Sequence, residues 1–339
     1  MTELMADEQA TTKSGVRTAN THRQIWPGIT RRGVQVTLGV LWLVDATLQM
    51  HPYMFTAAFA RQVLAPAGQD QPGWVAGPVD FFAHLIAAHP ASLNTAFVLI
   101  QLALGMGFLF PRLVRPAILG SLAWSAALWW LSEGLGGLAT GHASLITGAP
   151  GAVLLYAVLA SAAWPASDHR RPHHSDKVTV AGWLPWAWAI LWIGGAWLEM
   201  LPNQRGGAAL RDQIGNTDGV PGWLAGLHHS AEAILSHGGN APSITLVAVM
   251  ALVGLVGLAG RPWRMAAAAA GALAAAAFWI LGQNIGQLYS GQATDPNTGP
   301  LIVLMAFALA GTTGSLALPR NTRSPSIPIS TAGITNGRS

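Results

Sequence analysis

Hydrophobic residues in this chain come in long uninterrupted blocks, not in the alternation of a strand or the one-sided stripe of a surface helix. Eight blocks approach the roughly 17–25 residues that a helix needs to cross about 30 Å of hydrocarbon. They fall at about 34–50, 93–110, 116–132, 150–164, 183–200, 243–260, 265–282 and 300–318. Several are short or broken by Gly. Alternating barrel strands are absent, and every backbone group in lipid needs an internal partner, so the blocks read as helices. The expected fold is all-α: a polytopic membrane protein of about eight transmembrane helices. Two shorter amphipathic helices are expected between the blocks, from Trp74 to about Ala88 and from Trp223 to about Ser236. Phe81, Phe82 and Leu85 of the first face lipid or the bundle.

Composition agrees with this reading. Of 339 residues, 51% are hydrophobic and only 9% charged, too few to coat a soluble protein of this length, and there are 15 Trp and 39 Gly. The absence of Cys removes disulfides, thiolate metal sites and dithiol redox relays. Placing both termini in the cytoplasm puts 15 of the 18 Lys and Arg residues on the inner side, leaving Arg61, Arg205 and Arg211 outside. The basic balance is therefore topogenic, and no nucleic-acid partner is implied. Residues 1–32 and 319–339 are polar, read as disordered cytoplasmic tails, and flank membrane units at 33–164 and 183–318. The charged linker 165–182 joins the units; its His169, His173 and His174 read as solvated rather than as metal ligands.

The two units repeat one another. At an offset of 150, Leu41-Trp42, Ala46, Leu48, Met50 and Pro52 fall on Leu191-Trp192, Ala196, Leu198, Met200 and Pro202. At 149, Pro72-Gly-Trp-Val-Ala-Gly77 meets Pro221-Gly-Trp-Leu-Ala-Gly226, and Arg112 and Arg115 meet Arg261 and Arg264. At 150 again, Trp129, Gly136, Gly141, Ala143 and Pro150 meet Trp279, Gly286, Gly291, Ala293 and Pro300. Four helices per unit is an even number, so the expected architecture is two parallel four-helix repeats, N-in and C-in.

Intramembrane carboxylates point to chemistry, because burying one is costly unless it is paired or useful. Asp45 lies inside the first block, Gln49 one turn further on the same face, and Glu133 closes the third block. Their counterparts are Gly195, Glu199 and Gln283. Asp45, Gln49, Glu133, Glu199 and Gln283 are thus candidates to line a polar cavity near the outer boundary; the competing reading is helix-to-helix hydrogen bonding. Asp295 is one of several acidic residues on that same outer side, where seven of the eleven His also gather. Met50, His51, Met54, His84 and His89 are a lesser set, with thioether and imidazole suited to copper. Mid-membrane His on facing blocks, as haem requires, are missing, and the Gly-rich turns lack a phosphate-binding loop's partners.

Each unit resembles the DoxX-like superfamily, which includes DoxD and MauE-like proteins. The resemblance rests on Leu48-x-Met50-x-Pro52 closing the first helix and on the outer amphipathic segment. It continues in Gln101-Leu-Ala-Leu-Gly-Met-Gly-Phe-Leu-Phe-Pro-Arg112 running into a basic turn, and in Thr147-Gly-Ala-Pro-Gly-Ala-Val-Leu-Leu-Tyr156 opening the fourth. It implies a plasma-membrane protein supporting redox chemistry at the outer face, with quinone as the ligand or a membrane or envelope redox protein as the partner. Two features depart from the family: Gln49 and Glu199 stand where members often carry Lys, and there is no Cys. Transport or delivery of a small solute or of copper, and a scaffold without chemistry, are the alternatives.

Overall fold

A computed structural model describes residues 28–165, 180–214, 217 and 219–312. Most of both expected tails and of the linker, including His169, His173 and His174, lies outside the described residues. Among the described residues the chain is helical throughout, with no strand. The first half runs α1 (Arg31–Gln49), a 3-10 turn and the short α2 (Ala57–Phe59), which passes into a π turn. It continues with α3 (Gly73–Ala88), α4 (Pro90–Leu109), α5 (Val114–Leu131) and α6 (Ala152–Ala162). The second half runs α7 (Leu184–Leu198), α8 (Gly207–Ile214), α9 (Gly222–Ser236), α10 (Ala241–Val256), α11 (Arg261–Leu281) and α12 (Thr298–Ala310).

All eight apolar blocks are helical, and both amphipathic segments form helices, α3 and α9. Length and apolarity single out α4 and α11, of 20 and 21 residues, as able to cross a membrane; α9 and α10 together pass the same test but bend by 104° at their junction. The fourth and eighth blocks are shorter helices than expected. At 1.5 Å per residue, the 11 residues of α6 and 13 of α12 cover roughly 16–20 Å, well short of the hydrocarbon thickness. Ahead of each, the chain is a folded loop, whose backbone groups are met locally, as where Ala149 N–H donates to the Ser144 carbonyl at 2.8 Å.

Helix α1 packs on α4 and α6, and α5 on α4 and α6; α7 packs on α10, and α11 on α10 and α12. Helix α12 then meets α6, α1 and α7 in the middle. Trp42 and Tyr156 anchor the first half with ring centroids 4.5 Å apart, and Trp188, Trp192 and Phe278 form a chain of rings in the second. Two buried indoles are hydrogen-bonded across helices: Trp42 donates to Ser121 at 3.2 Å and Trp188 to the Val253 carbonyl at 3.1 Å.

Two of the basic residues read as topogenic also satisfy helix ends. Arg32 donates to the Phe108 and Leu109 carbonyls at the C-terminus of α4, where a cation meets orphan acceptors and the negative end of the helix dipole. Arg264, 2% exposed, donates to the Thr312 hydroxyl beyond α12.

Small residues let α1 and α4 approach closely. A Cβ on Gly39 would lie 2.9 Å from the Gly105 carbonyl oxygen and 3.0 Å from Phe108 Cβ. Such backbone proximity leaves no room for a side chain at the crossing. Gly39→Leu should therefore lower stability by about 1–3 kcal/mol, the usual cost of overpacking, read as a lower unfolding temperature in detergent followed by Trp fluorescence. An unchanged transition would show that the interface adapts.

Candidate functional site

A cavity of about 100 Å³ opens among α1, α3, α4, α5 and the segment around α2. That is room for several waters or a small organic group. Asp45 and Gln49 reach it from α1, Gln101 from α4, and Ser132 and Glu133 from the end of α5. Its walls are aromatic: Trp42, Phe59, Phe82, Phe97 and Trp124. Phe82 faces this space while Phe81 and Leu85, on the same helix, are exposed. The last two lining residues, Thr294 and Asp295, come from the loop between α11 and α12 in the other half. Among the described residues no Lys, Arg or His lines the cavity.

The polar atoms here are under-used. Asp45 is 1% exposed and Gln101 5%. Asp45 Oδ1, Gln101 Oε1, Trp124 Nε1 and Glu133 Oε2 are all buried without a hydrogen-bond partner, while the Tyr156 hydroxyl stands beside the Asp45 carboxyl, close enough to act as its donor. Buried polar groups are nearly always satisfied, and several orphans around one space mark a place where something else supplies the partners. Asp295 is within electrostatic reach of both Asp45 and Glu133. Like charges sharing a desolvated space repel, which favours a shared proton or a bound cation.

Two of the three carboxyls are held by local backbone. Glu133 Oε1 accepts the Val153 N–H at 3.2 Å, so this side chain caps the N-terminus of α6. The approach depends on Gly151 at φ 103°, whose Cβ would fall 2.1 Å from Glu133 Oε2. Asp295 accepts the Asn297 N–H at 2.7 Å and the Thr294 hydroxyl at 2.9 Å, and burial holds its carboxyl above the ordinary aspartate value. Ahead of α6, Gly134, Leu135, Gly136 and Gly137 all take left-handed φ, and Asn284, Ile285, Gly286 and Gln287 do the same ahead of α12. A Cβ on Gly136 would collide with the Pro150 carbonyl oxygen at 2.1 Å, so the turn needs glycine there.

The five cavity candidates separate. Asp45, Gln49 and Glu133 line this cavity; Glu199 and Gln283 do not. Gln49 donates to Asn94 Oδ1 and its carbonyl accepts from Asn94 Nδ2 at 2.9 Å, a satisfied helix-to-helix pair. Glu199 accepts from Ser144 and, at 3.0 Å, from Gln213. Gln283 accepts the Gly299 N–H at 3.1 Å, capping α12, and borders a separate recess with Gln213. The lesser set does not converge: Met50 and His51 are exposed, Met54 is packed beside Phe59, His84 bonds the Asp80 carbonyl at 2.7 Å, and His89 sits at the α3–α4 junction. Among the described residues no three His, Cys, Asp or Glu form a group able to hold a metal.

Two matching hydrogen bonds amend the sequence register. The Trp129 indole donates to the Pro150 carbonyl and the Trp279 indole to that of Pro296, both at 2.7 Å. The residue placed like Pro150 is thus Pro296 and not Pro300. Nine positions separate Gly141 from Pro150, but five separate Gly291 from Pro296. Gln101, Ser132, Thr294 and Asp295 line the cavity without being among the sequence candidates, and Asp295 is the charged one. The signal was its alignment, at an offset of 150, with Leu145: a carboxylate where the other copy has an aliphatic side chain.

The Gln49–Asn94 pair gives a clean test of bundle hydrogen bonding. Asn94→Leu should lower stability by about 1–3 kcal/mol by orphaning a buried amide, while adding Gln49→Leu should recover part of the loss in a double-mutant cycle. Strict additivity would show the two amides to be independent. Comparisons with protein-family models, curated proteins and solved structures returned no match.

Proposed function

We propose that the chain is a multi-pass membrane protein of two like four-helix units, both termini cytoplasmic, with a binding site for a small organic cation at the outer end of the first unit. The observation that carries the ligand class is the cavity itself. Asp45, Glu133 and Asp295 share it, Asp45 with an unpartnered buried oxygen, and the walls are five aromatic rings with no cationic side chain among them. A buried carboxylate needs a counter-charge, and an ammonium head offers one while its alkyl groups pack on ring faces. The lack of a three-ligand group among the described residues disfavours copper or zinc as the solute. Membrane placement is supported by α4 and α11, and the duplication by the matching Trp-to-Pro hydrogen bonds and left-handed turns. Resemblance of each unit to the DoxX-like superfamily supports the same architecture.

A second reading keeps quinone. The unpartnered Trp124 indole is a donor suited to a quinone carbonyl, and the carboxyls could take the two protons released when a quinol is oxidised. The two electrons would pass to a redox partner protein.

Titration calorimetry of the detergent-purified protein with methylammonium through tetraethylammonium tests the first reading. Binding is expected for at least one member, weakened tenfold or more by Asp45→Asn, a loss of at least about 1.4 kcal/mol. Affinity should rise with pH, because ionised carboxyls bind the cation and Asp295 titrates above the usual aspartate range. No binding across the series overturns it. Quinone recovered by solvent extraction of the same sample would establish the second reading in its place; an empty protein with a co-purifying partner would establish a scaffold.

A further inference from the structure

The loops between α5 and α6 (138–151) and between α11 and α12 (288–297) each turn away from their own half. Gly291 sits against His51 at the end of α1: a Cβ there would be 2.7 Å from the imidazole Cε1. Three residues on, Thr294 and Asp295 enter the first half's cavity. The loop of the first half makes the reciprocal journey. Gln204 donates to the His142 carbonyl, the Ser144 hydroxyl donates to Glu199, and the Ile146 carbonyl accepts from Gln283 at 3.3 Å. Between these contacts Leu145, 1% exposed, packs on α7, where a Cβ on Gly195 would lie 2.9 Å from its Cδ2.

The offsets found in the sequence turn these into equivalent places. Asp45 corresponds to Gly195 and Gln101 to Met250; with the four-residue difference lying between Asp295 and Pro296, Thr294-Asp295 corresponds to Ser144-Leu145, as the matching approaches to Asp45 and Gly195 require. In the first half, Asp295 faces Asp45 across open space with Gln101 alongside. In the second, Leu145 and the Met250 methyl converge on Gly195, and Met250 is 0% exposed. Every polar group of the first trio is replaced by an apolar one or by hydrogen, and the place beside Gly195 is filled; the recess of about 560 Å³ that remains in this half, among α8, α9, α10 and α11, is lined almost wholly by apolar side chains.

We propose that the two halves exchange outer loops, that Asp295 from the second half is a recognition residue of the first half's site, and that Leu145 plugs the equivalent place in the second, leaving one carboxylate-lined site for a cation per chain. The ligand part rests on the organic-cation reading above; the loop exchange does not.

The absence of native Cys allows a direct test of the exchange. A His51→Cys/Gly291→Cys variant, with a protease site inserted between residues 166 and 179, is treated with a short thiol-specific cross-linker in detergent and then cleaved. The halves are expected to migrate as one band on denaturing gels, and as two when either Cys is omitted; two bands in the double variant overturn the exchange. In parallel, tetramethylammonium is titrated into wild type, Asp295→Asn and Leu145→Ala. One equivalent per chain, at least tenfold weaker binding in Asp295→Asn and wild-type affinity in Leu145→Ala are expected. Two equivalents, or full affinity in an Asp295→Asn protein whose halves still cross-link, overturn the assignment. A wild type that binds no ammonium while its halves cross-link sinks the cation reading instead, and the role of Asp295 with it.

Discussion

The arrangement depends on how two short helices begin. Helices α6 and α12 start well inside the molecule, and a helix N-terminus away from water presents N–H groups that must find acceptors. Glu133 and Gln283, each placed just beyond the end of the preceding helix, supply them. For the side chain to reach, the chain must reverse through a run of left-handed residues, including Leu135 and Ile285, in a conformation that is costly for any residue with a Cβ. What lies between reversal and helix is then a loop with no room over its own bundle, and it settles on the neighbouring half.

One carboxylate thus serves two ends. Glu133 satisfies backbone donors through one oxygen and leaves the other at the cavity. Gln283 in the same role offers an amide, which keeps the cap and carries no charge. The architectural requirement is met equally by either side chain, so the identity at this place was free to follow the needs of the cavity. Asp45 caps no helix; its neighbour is the Tyr156 hydroxyl of α6, and its second oxygen is left buried at the cavity.

Much of the architecture was legible along the chain because long apolar blocks and a nearly constant offset are local or periodic signals. All eight blocks are helical, and α3 and α9 follow their amphipathic patterns. The shortness of α6 and α12 was not legible, since Ala163 and Trp164 continue the apolar run beyond the last helical residue of α6, and no charged residue marks the end of α12 at Ala310. At the cavity, Asp45 and Glu133 stood out as carboxylates in or beside apolar blocks. Asp295 did not, being an acidic residue in an outer loop, where solvent exposure is the ordinary outcome; only the path of that loop across the molecule gives it a role. The register shift between Gly291 and Pro296 hid for a related reason: it is a four-residue difference confined to the very loop that crosses.

Crossed loops also bear on how such a chain can arise. A solitary four-helix unit built on this plan would have a loop with no bundle to receive it and a cavity with no cover. Two such units related by a two-fold axis would satisfy one another, because an isologous pairing offers each loop the same seat. Tandem fusion of that pair preserves the seats while releasing the two loops from having to be identical. On the duplication proposed above, Leu145 and Asp295 are what that freedom would look like in one polypeptide: a symmetric dimer made asymmetric from within, with one seat kept polar and the other turned apolar.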